Sequence, residues 1–286
     1  MFSSDQYALL DFGSGRKLER FGDVVLDRPC PAAETATVLD EEAWSTADAR
    51  YERAAGESGR WVAAKALPER WDVRHHGLRF EVRPTPFGHV GLFAEQAENW
   101  TWLAQQCRRF TGSCTVLNLF AYTGGSTLAA AAAGASVVHI DSAKNVNAWA
   151  RRNAEASGLS DAPLRWIAED AAKFVAREVR RGNRYDGVIL DPPSYGHGPK
   201  GERWKIDEDL PPLLIDCARL VKEDRGFVLL SSHSPRHPPK VLGSLVEETF
   251  RRSPPWRREL QSLTIDDPSG RHLASGNAVR VVGGEG

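Results

Sequence analysis

Apolar positions recur along this chain in two rhythms. Up to about Pro86 the sequence is rich in Gly, Pro, Arg and Trp and carries short alternating runs such as Leu78, Phe80 and Val82 between turn residues. That pattern predicts small strands and loops. Within it, Ala32 to Arg60 is polar, acidic and glycine-containing, and predicts a partly mobile connection rather than core. From Val116 onward the grammar is strand, glycine turn, helix, repeated, which predicts a parallel sheet with crossover helices.

The repeats can be read one by one. Val116 to Phe120 is a strand broken by Thr123-Gly124-Gly125, followed by an alanine-rich helix from Ser126 to Ala133 that Gly134 ends. Val137 to Ile140 is a second strand ending at Asp141, and Val146, Trp149, Ala150 and Asn153 mark the inner face of the next helix. Leu164 to Ala168 is a third strand, Asp170 caps a helix over Ala171 to Arg181, and Tyr185 to Leu190 is a fourth strand running into Asp191-Pro192-Pro193. A helix over Leu213 to Val221, a fifth strand over Phe227 to Ser231, a helix over Val241 to Phe250 and a closing antiparallel hairpin around an Asp-Pro-Ser-Gly turn complete the series. The expected fold is α/β, a Rossmann-like doubly wound seven-stranded sheet with a small N-terminal β-rich appendage. The expected division is residues 1–89 for the appendage, with a substrate-docking role, and 90–286 for the catalytic domain.

Composition narrows the classes. With 286 residues, 41% hydrophobic and 26% charged, the chain is neither disordered nor fibrous. No stretch is long and apolar enough to span a bilayer, and the N-terminus lacks a basic start followed by an apolar run, so the cytoplasm is the expected compartment. The four cysteines show no CxxC pair, so neither a zinc site nor a disulfide framework is expected, and no metal is. A formal net charge of −1 means that any nucleic-acid contact must be local. Basic clusters occur at Arg108-Arg109, Arg151-Arg152, Arg177 to Arg181, Arg236 to Lys240, Arg251-Arg252 and Arg257-Arg258, and most read as solvated helix faces.

Candidate chemistry sits at strand ends. The glycines of Asn118-Leu119-Phe120-Ala121-Tyr122-Thr123-Gly124-Gly125 fall where the first strand turns into its helix, the crevice where open α/β sheets bind ligands. The spacing is neither GxGxxG nor GxxxxGK[ST], which argues against a dinucleotide or a P-loop. Asp141 at the end of the second strand is placed to accept both hydroxyls of a ribose; the competing explanation is that it caps the next helix. Glu169-Asp170, at the third strand end, either hold an adenine amino group or merely cap. In Asp191-Pro192-Pro193-Ser194-Tyr195 the double proline fixes backbone carbonyls, and Tyr195 can stack on a base taken out of its helix. The loop Gly196 to Trp204 reads as a substrate lid, with Lys200 a candidate phosphate contact and His233 a candidate base.

On these motifs, together with Gly77 to Val82, Gly91 to Gln96 and Asp141-Ser142-Ala143-Lys144, the stretch from about Gly77 to about Ser234 resembles the class I bacterial large-subunit ribosomal RNA methyltransferases, which include cytosine carbon-5 and guanine N7 enzymes. The resemblance implies S-adenosyl-L-methionine as cofactor and RNA as substrate. It implies that Asn118, Phe120, Tyr122 and Gly124 shape the methionine pocket, that Asp141 holds the ribose with Ser142 beside it, that Asp170 holds the adenine, and that Glu95 and Gln96 approach the cofactor. Asp191, Pro192 and Tyr195 are then the catalytic set, with Asp191 facing both cofactor and target.

Two departures shape the expected reaction. The N-terminal segment is not recognisable as the RNA-binding module common in that family. Carbon-5 relatives also carry a cysteine after the fifth strand, where this chain has Ser231-Ser232-His233-Ser234, and a serine hydroxyl is a far poorer ring nucleophile than a thiolate. Nitrogen methylation needs no covalent step, and is the expected chemistry. A small-molecule methyltransferase and a binding module that has lost catalysis remain as alternatives at this point.

Overall fold

The computed structural model describes residues 1–54, 58–198, 201–250 and 256–284. They form two compact units, Met1–Ala97 with Thr264–Ser275, and Glu98–Leu263 with Gly276–Gly286. The first unit thus runs past the expected boundary at residues 89 and 90 and takes in the outer part of the C-terminal hairpin.

In the first unit, β1 (Tyr7–Gly13), β2 (Arg16–Phe21), β3 (Val24–Pro29), β4 (Ala49–Arg53) and β5 (Gly59–Ala63) form one sheet in sequential order, with the short helix α1 (Glu41–Ser45) between β3 and β4. A separate hairpin pairs β6 (Trp71–His75) with β7 (Leu78–Val82). Leu18, Phe21 and Leu26 are fully buried. Among them lies an ion pair: Glu19 meets Arg28 at 2.5 Å and accepts from the Tyr7 hydroxyl at 2.8 Å. Burial pushes the Glu19 carboxyl up, but Arg28 and Lys17 outweigh it and hold the pKa at about 2.

The stretch Ala32 to Arg60, expected to be a partly mobile connection, instead contains α1, β4 and the first two residues of β5, with residues 55–57 outside the described residues. Its order comes from carboxylates that receive donors. One Asp11 oxygen accepts from the N–H groups of Leu39 at 3.0 Å and Asp40 at 3.1 Å and from Trp44 Nε1 at 2.7 Å. Tyr51 is buried, with its hydroxyl donating to the Pro86 carbonyl at 2.6 Å. Hydropathy sees only the polarity of such a segment and not the satisfaction of its polar groups.

The second unit carries α2 (Ala97–Arg108), β8 (Thr115–Leu119), α3 (Gly125–Ala132), β9 (Ser136–Asp141), α4 (Lys144–Ala156), β10 (Leu164–Ala168), α5 (Ala171–Arg181) and β11 (Gly187–Leu190). It continues with the small ribbon β12 (Tyr195–His197) and β13 (Arg203–Lys205), then α6 (Ile206–Leu220), β14 (Phe227–Ser232), α7 (Pro239–Thr249), β15 (Arg257–Asp266) and β16 (His272–Val282). Seven strands form one sheet in the order β10-β9-β8-β11-β14-β16-β15. β8 to β11 and β14 pair in parallel, and β16 returns antiparallel to β14. The expected α/β architecture is the observed one. Every residue of β11 and β14 is buried, as in a sheet covered on both faces.

Two elements differ from the sequence reading. β11 begins at Gly187 because Tyr185 makes only an isolated bridge to Val221, and its hydroxyl is drawn to Glu178 at 2.8 Å. α6 begins at Ile206 and carries Pro211 and Pro212 inside it. Buried Ile206, Leu210, Leu213 and Leu214 continue one apolar stripe through the prolines, and this packing outweighs the lost backbone bonds.

The strand order places β9 and β10 on one side of β8 and β11 and β14 on the other. The crevice outside the carboxyl ends of β8 and β11 is therefore the switch point where open sheets of this kind bind ligands.

Candidate active site

The loop after β8 is conformationally strained. Phe120 and Tyr122 both adopt positive φ, 55° and 49°, and Gly124 follows at 94° as the residue capping α3. Non-glycine residues in that region cost of order 1 to 3 kcal/mol each and persist only where the surroundings enforce them. The enforcement is visible. Asp141, at the end of β9, accepts the Tyr122 N–H on Oδ2 at 3.0 Å and the Ala143 N–H on Oδ1 at 2.9 Å. Asn153 of α4 donates to the Thr123 carbonyl at 2.9 Å.

Asp141 is thus wedged between the ends of two neighbouring strands. Burial pushes its carboxyl above the ordinary value, against the two amide bonds that lower it. Each oxygen accepts one of these bonds and keeps a further lone pair for hydroxyl donors, and such donors would stabilise the charged form that burial disfavours. The residue fits a ribose. Ser142 lies half-buried next to it.

The glycines serve packing first. A Cβ on Gly125 would come within 2.5 Å of the Trp100 indole, and one on Gly124 within 3.0 Å of Leu128. The space they vacate is filled by protein, so the loop offers a ligand its backbone rather than glycine-made room. Asn118 is buried and donates to Thr127 Oγ1 at 2.9 Å, which in turn pairs with His139 Nδ1 at 2.9 Å. That chain runs beneath the loop and locks β8, β9 and α3 together. The Phe120 ring lies 4.8 Å from Trp204, and the Tyr122 ring 6.5 Å from Trp149.

At the end of β10, Asp170 caps α5 by accepting the Lys173 N–H at 2.9 Å, while Glu169 forms a bidentate pair with Arg177 at 2.6 Å on both arms. Gln96 belongs to the other unit, buried in the one-turn segment Ala94–Gln96.

After β11 the diproline corner gathers polar groups from β14. Asp191 Oδ1 accepts the Ser231 hydroxyl at 2.6 Å and lies 3.3 Å from His233 Nε2. Pro192 is buried, whereas Tyr195 is 47% exposed on the β12–β13 ribbon, its hydroxyl 2.8 Å from His197 Nε2. Trp204 Nε1 donates to the Pro193 carbonyl at 2.7 Å, which ties the ribbon to the corner. Lys200 lies outside the described residues. The Ser231 contact and the pairing of Trp204 with Phe120 escaped the sequence reading. The only available signal was the run of polar residues that ends β14.

The neighbouring ends of β8, β9 and β11 therefore bring the Phe120–Gly124 loop, Asp141 and Asp191 to one edge of the sheet. They do not bring the Asn118 amide, which is spent in the core. Among the described residues no group of three or more His, Cys, Asp or Glu could hold a metal ion, and no helix is long and apolar enough to cross a membrane.

Comparison with known proteins agrees with this architecture. The family model described as S-adenosylmethionine-dependent methyltransferase matches residues 34–255. The chain is 32% identical over 180 residues to a ribosomal RNA large subunit methyltransferase K/L of Hahella chejuensis, covering 62% of this chain and 23% of that protein. It is 34% identical over 110 residues to a ribosomal RNA large subunit methyltransferase I of Aeromonas hydrophila subsp. hydrophila, covering 38% of this chain and 27% of that protein. The chain spans about a quarter of the length of these curated relatives. The crystal structure of a SAM-dependent methyltransferase from Agrobacterium tumefaciens is similar throughout, with a TM-score of 0.92 and 36% identity over 99% of this chain and 92% of that one.

Proposed function

Because the chain belongs to the S-adenosylmethionine-dependent methyltransferase family, we propose that it methylates a nucleobase of RNA, ribosomal RNA first, on nitrogen. The observation that carries the reading is the cluster of Asp191, Ser231 and His233 at the diproline corner. The similarity to ribosomal RNA methyltransferases over more than half of the chain supports the substrate class.

Asp141 holds the ribose hydroxyls, Phe120 and Tyr122 present backbone at the methionine end, and the N-terminal end of α3 favours its carboxylate. Asp170, already accepting one backbone bond, keeps lone pairs for the adenine amino group. When bound, the cofactor supplies an electrophilic methyl on a sulfonium. Ser231 fixes one Asp191 oxygen, so the carboxylate presents a defined face to a base N–H donor. The Pro192 carbonyl orients the same nitrogen in line, and Tyr195 offers a stacking surface. With the cofactor bound, its methyl would pass to that nitrogen, and the Asp191–His233 pair would take up the proton that an exocyclic nitrogen releases. Ser231 cannot supply the thiolate that carbon-5 methylation of cytosine requires. The β-rich first unit takes the role of docking substrate, and the cytoplasm, where ribosomal RNA is found, is the compartment that fits.

Purified protein given methyl-labelled S-adenosylmethionine and unmodified ribosomal RNA should place label in the RNA, and digestion should yield an N-methylated base. Label only in small molecules or in protein would overturn the RNA assignment, and 5-methylcytosine would overturn the nitrogen assignment.

A further inference from the structure

We propose that a groove between α2 and the β15–β16 edge of the large sheet binds the phosphodiester backbone of an RNA strand, away from the cofactor crevice. Its volume is about 630 Å³, and its lining includes Trp102, Arg109, Arg257, Arg258, Arg280 and a single carboxylate, Glu259. Four guanidinium groups and one carboxylate line this concavity, with Glu247 paired to Arg258 and Glu98 also acting on Arg280, on a chain whose overall charge is −1.

Arg280 is the informative member. It is 7% exposed, donates from Nε to Asn99 at 3.0 Å, and stands 5.7 Å from the centre of the Trp102 ring. Its Nη1 lies 3.8 Å from Glu259, and its Nη2 has no hydrogen-bond partner among the described residues. Burial pulls its pKa below the ordinary arginine value. A buried cation with an unpaired donor is costly, and an anion in the adjoining groove offsets that cost. Arg109 spends its Nη groups on two neutral acceptors, Gln106 Oε1 and the Gly284 carbonyl, so its charge is not cancelled there. Arg258 pairs with Glu247 at 2.6 Å and adds little to the field. Planar guanidinium forks match phosphate oxygens better than ammonium groups do.

Position decides for a polymer. Val282, in the groove lining, pairs with Phe227 at the start of β14, whereas the Asp191 cluster is at the other end of that strand, beside Ser231. A mononucleotide cannot reach both ends, but a polynucleotide can. The inference rests on RNA being the substrate.

The test measures binding of a ribosomal RNA fragment to the full chain by fluorescence anisotropy across a series of salt concentrations. The variants R109S/R257S and R258S are compared with the wild type, each checked by S-adenosylmethionine calorimetry. The double variant should bind RNA about tenfold more weakly at low salt and reduce the salt slope by about one per arginine removed. R258S should change little, and cofactor affinity should be unaltered in all. An unchanged slope in a double variant whose parent methylates RNA refutes the groove and leaves the methylation reading standing. A reduced slope when the parent transfers no methyl to RNA refutes that reading and, because the inference rests on it, overturns the groove as a site for the substrate strand. Wild-type protein that binds no RNA refutes both, and millimolar inorganic phosphate displacing RNA from the groove entirely would mark it as a free-anion site and overturn the proposal.

Discussion

Asp141 accepts the backbone N–H of Tyr122 at 3.0 Å, and so the end of one strand holds the positive-φ loop of its neighbour in place. The same carboxylate that is offered to a ribose is therefore part of the fold before any ligand arrives. Replacing it with asparagine turns one acceptor into a donor that must face either the Tyr122 or the Ala143 amide. Asp141→Asn should lower the unfolding free energy of the ligand-free protein by about 1 to 3 kcal/mol. Urea unfolding measures this, and wild-type stability would show that the carboxylate is not a clamp.

Gly125 and Trp100 form a second such dependency. Gly125→Ala forces the indole away from its 2.5 Å encounter with the new methyl and should cost about 1 to 3 kcal/mol. Trp100→Phe in the same chain should recover part of the loss, because a smaller ring leaves room. A double-mutant cycle on unfolding midpoints reads the coupling, and strictly additive effects would contradict it.

Acid should destabilise the protein from near neutrality. Burial lowers the pKa of His139 to about 3 and, helped by the charge of His76, that of His75 to about 4, from an ordinary 6.5. Both rings are more readily protonated when unfolded, so their contribution is complete above pH 6.5 and is lost as the pH falls toward their folded values. Each proton taken up on unfolding lowers stability by about 1.4 kcal/mol per pH unit. Glu19, ordinarily 4.5 and held at about 2, adds its own loss only below pH 4.5. Urea midpoints at pH 8, 7, 6 and 5 should be level above pH 7 and fall between 6 and 5. Equal midpoints at pH 7 and pH 5 would contradict the assignment.

The sheet and the strand-end carboxylates were legible because period, glycine turns and proline stops are local signals. Asp141 could be placed from the residue types around it alone. Pairings across the chain were not legible: Ser231 reaches Asp191 from a separate strand, and Trp204 meets Phe120 only because the β12–β13 ribbon folds back. Polarity misled over Ala32 to Arg60, where Asp11 accepts from backbone amides, and the start of α6 was placed at Leu213, whereas its apolar stripe begins at Ile206 and runs through Pro211 and Pro212. In each case tertiary contacts outweighed the local pattern.

The central claim is that Asp141 holds the cofactor and Asp191 serves the methyl transfer. Calorimetric titration with S-adenosylmethionine of the wild type, Asp141→Ala and Asp191→Ala, the last also assayed for transfer to ribosomal RNA, tests it most directly. Affinity should fall about 100-fold in Asp141→Ala, as expected for losing charge-assisted bonds of about 3 kcal/mol, while Asp191→Ala binds within a few-fold of wild type and transfers no methyl. Wild-type affinity in Asp141→Ala would contradict the account.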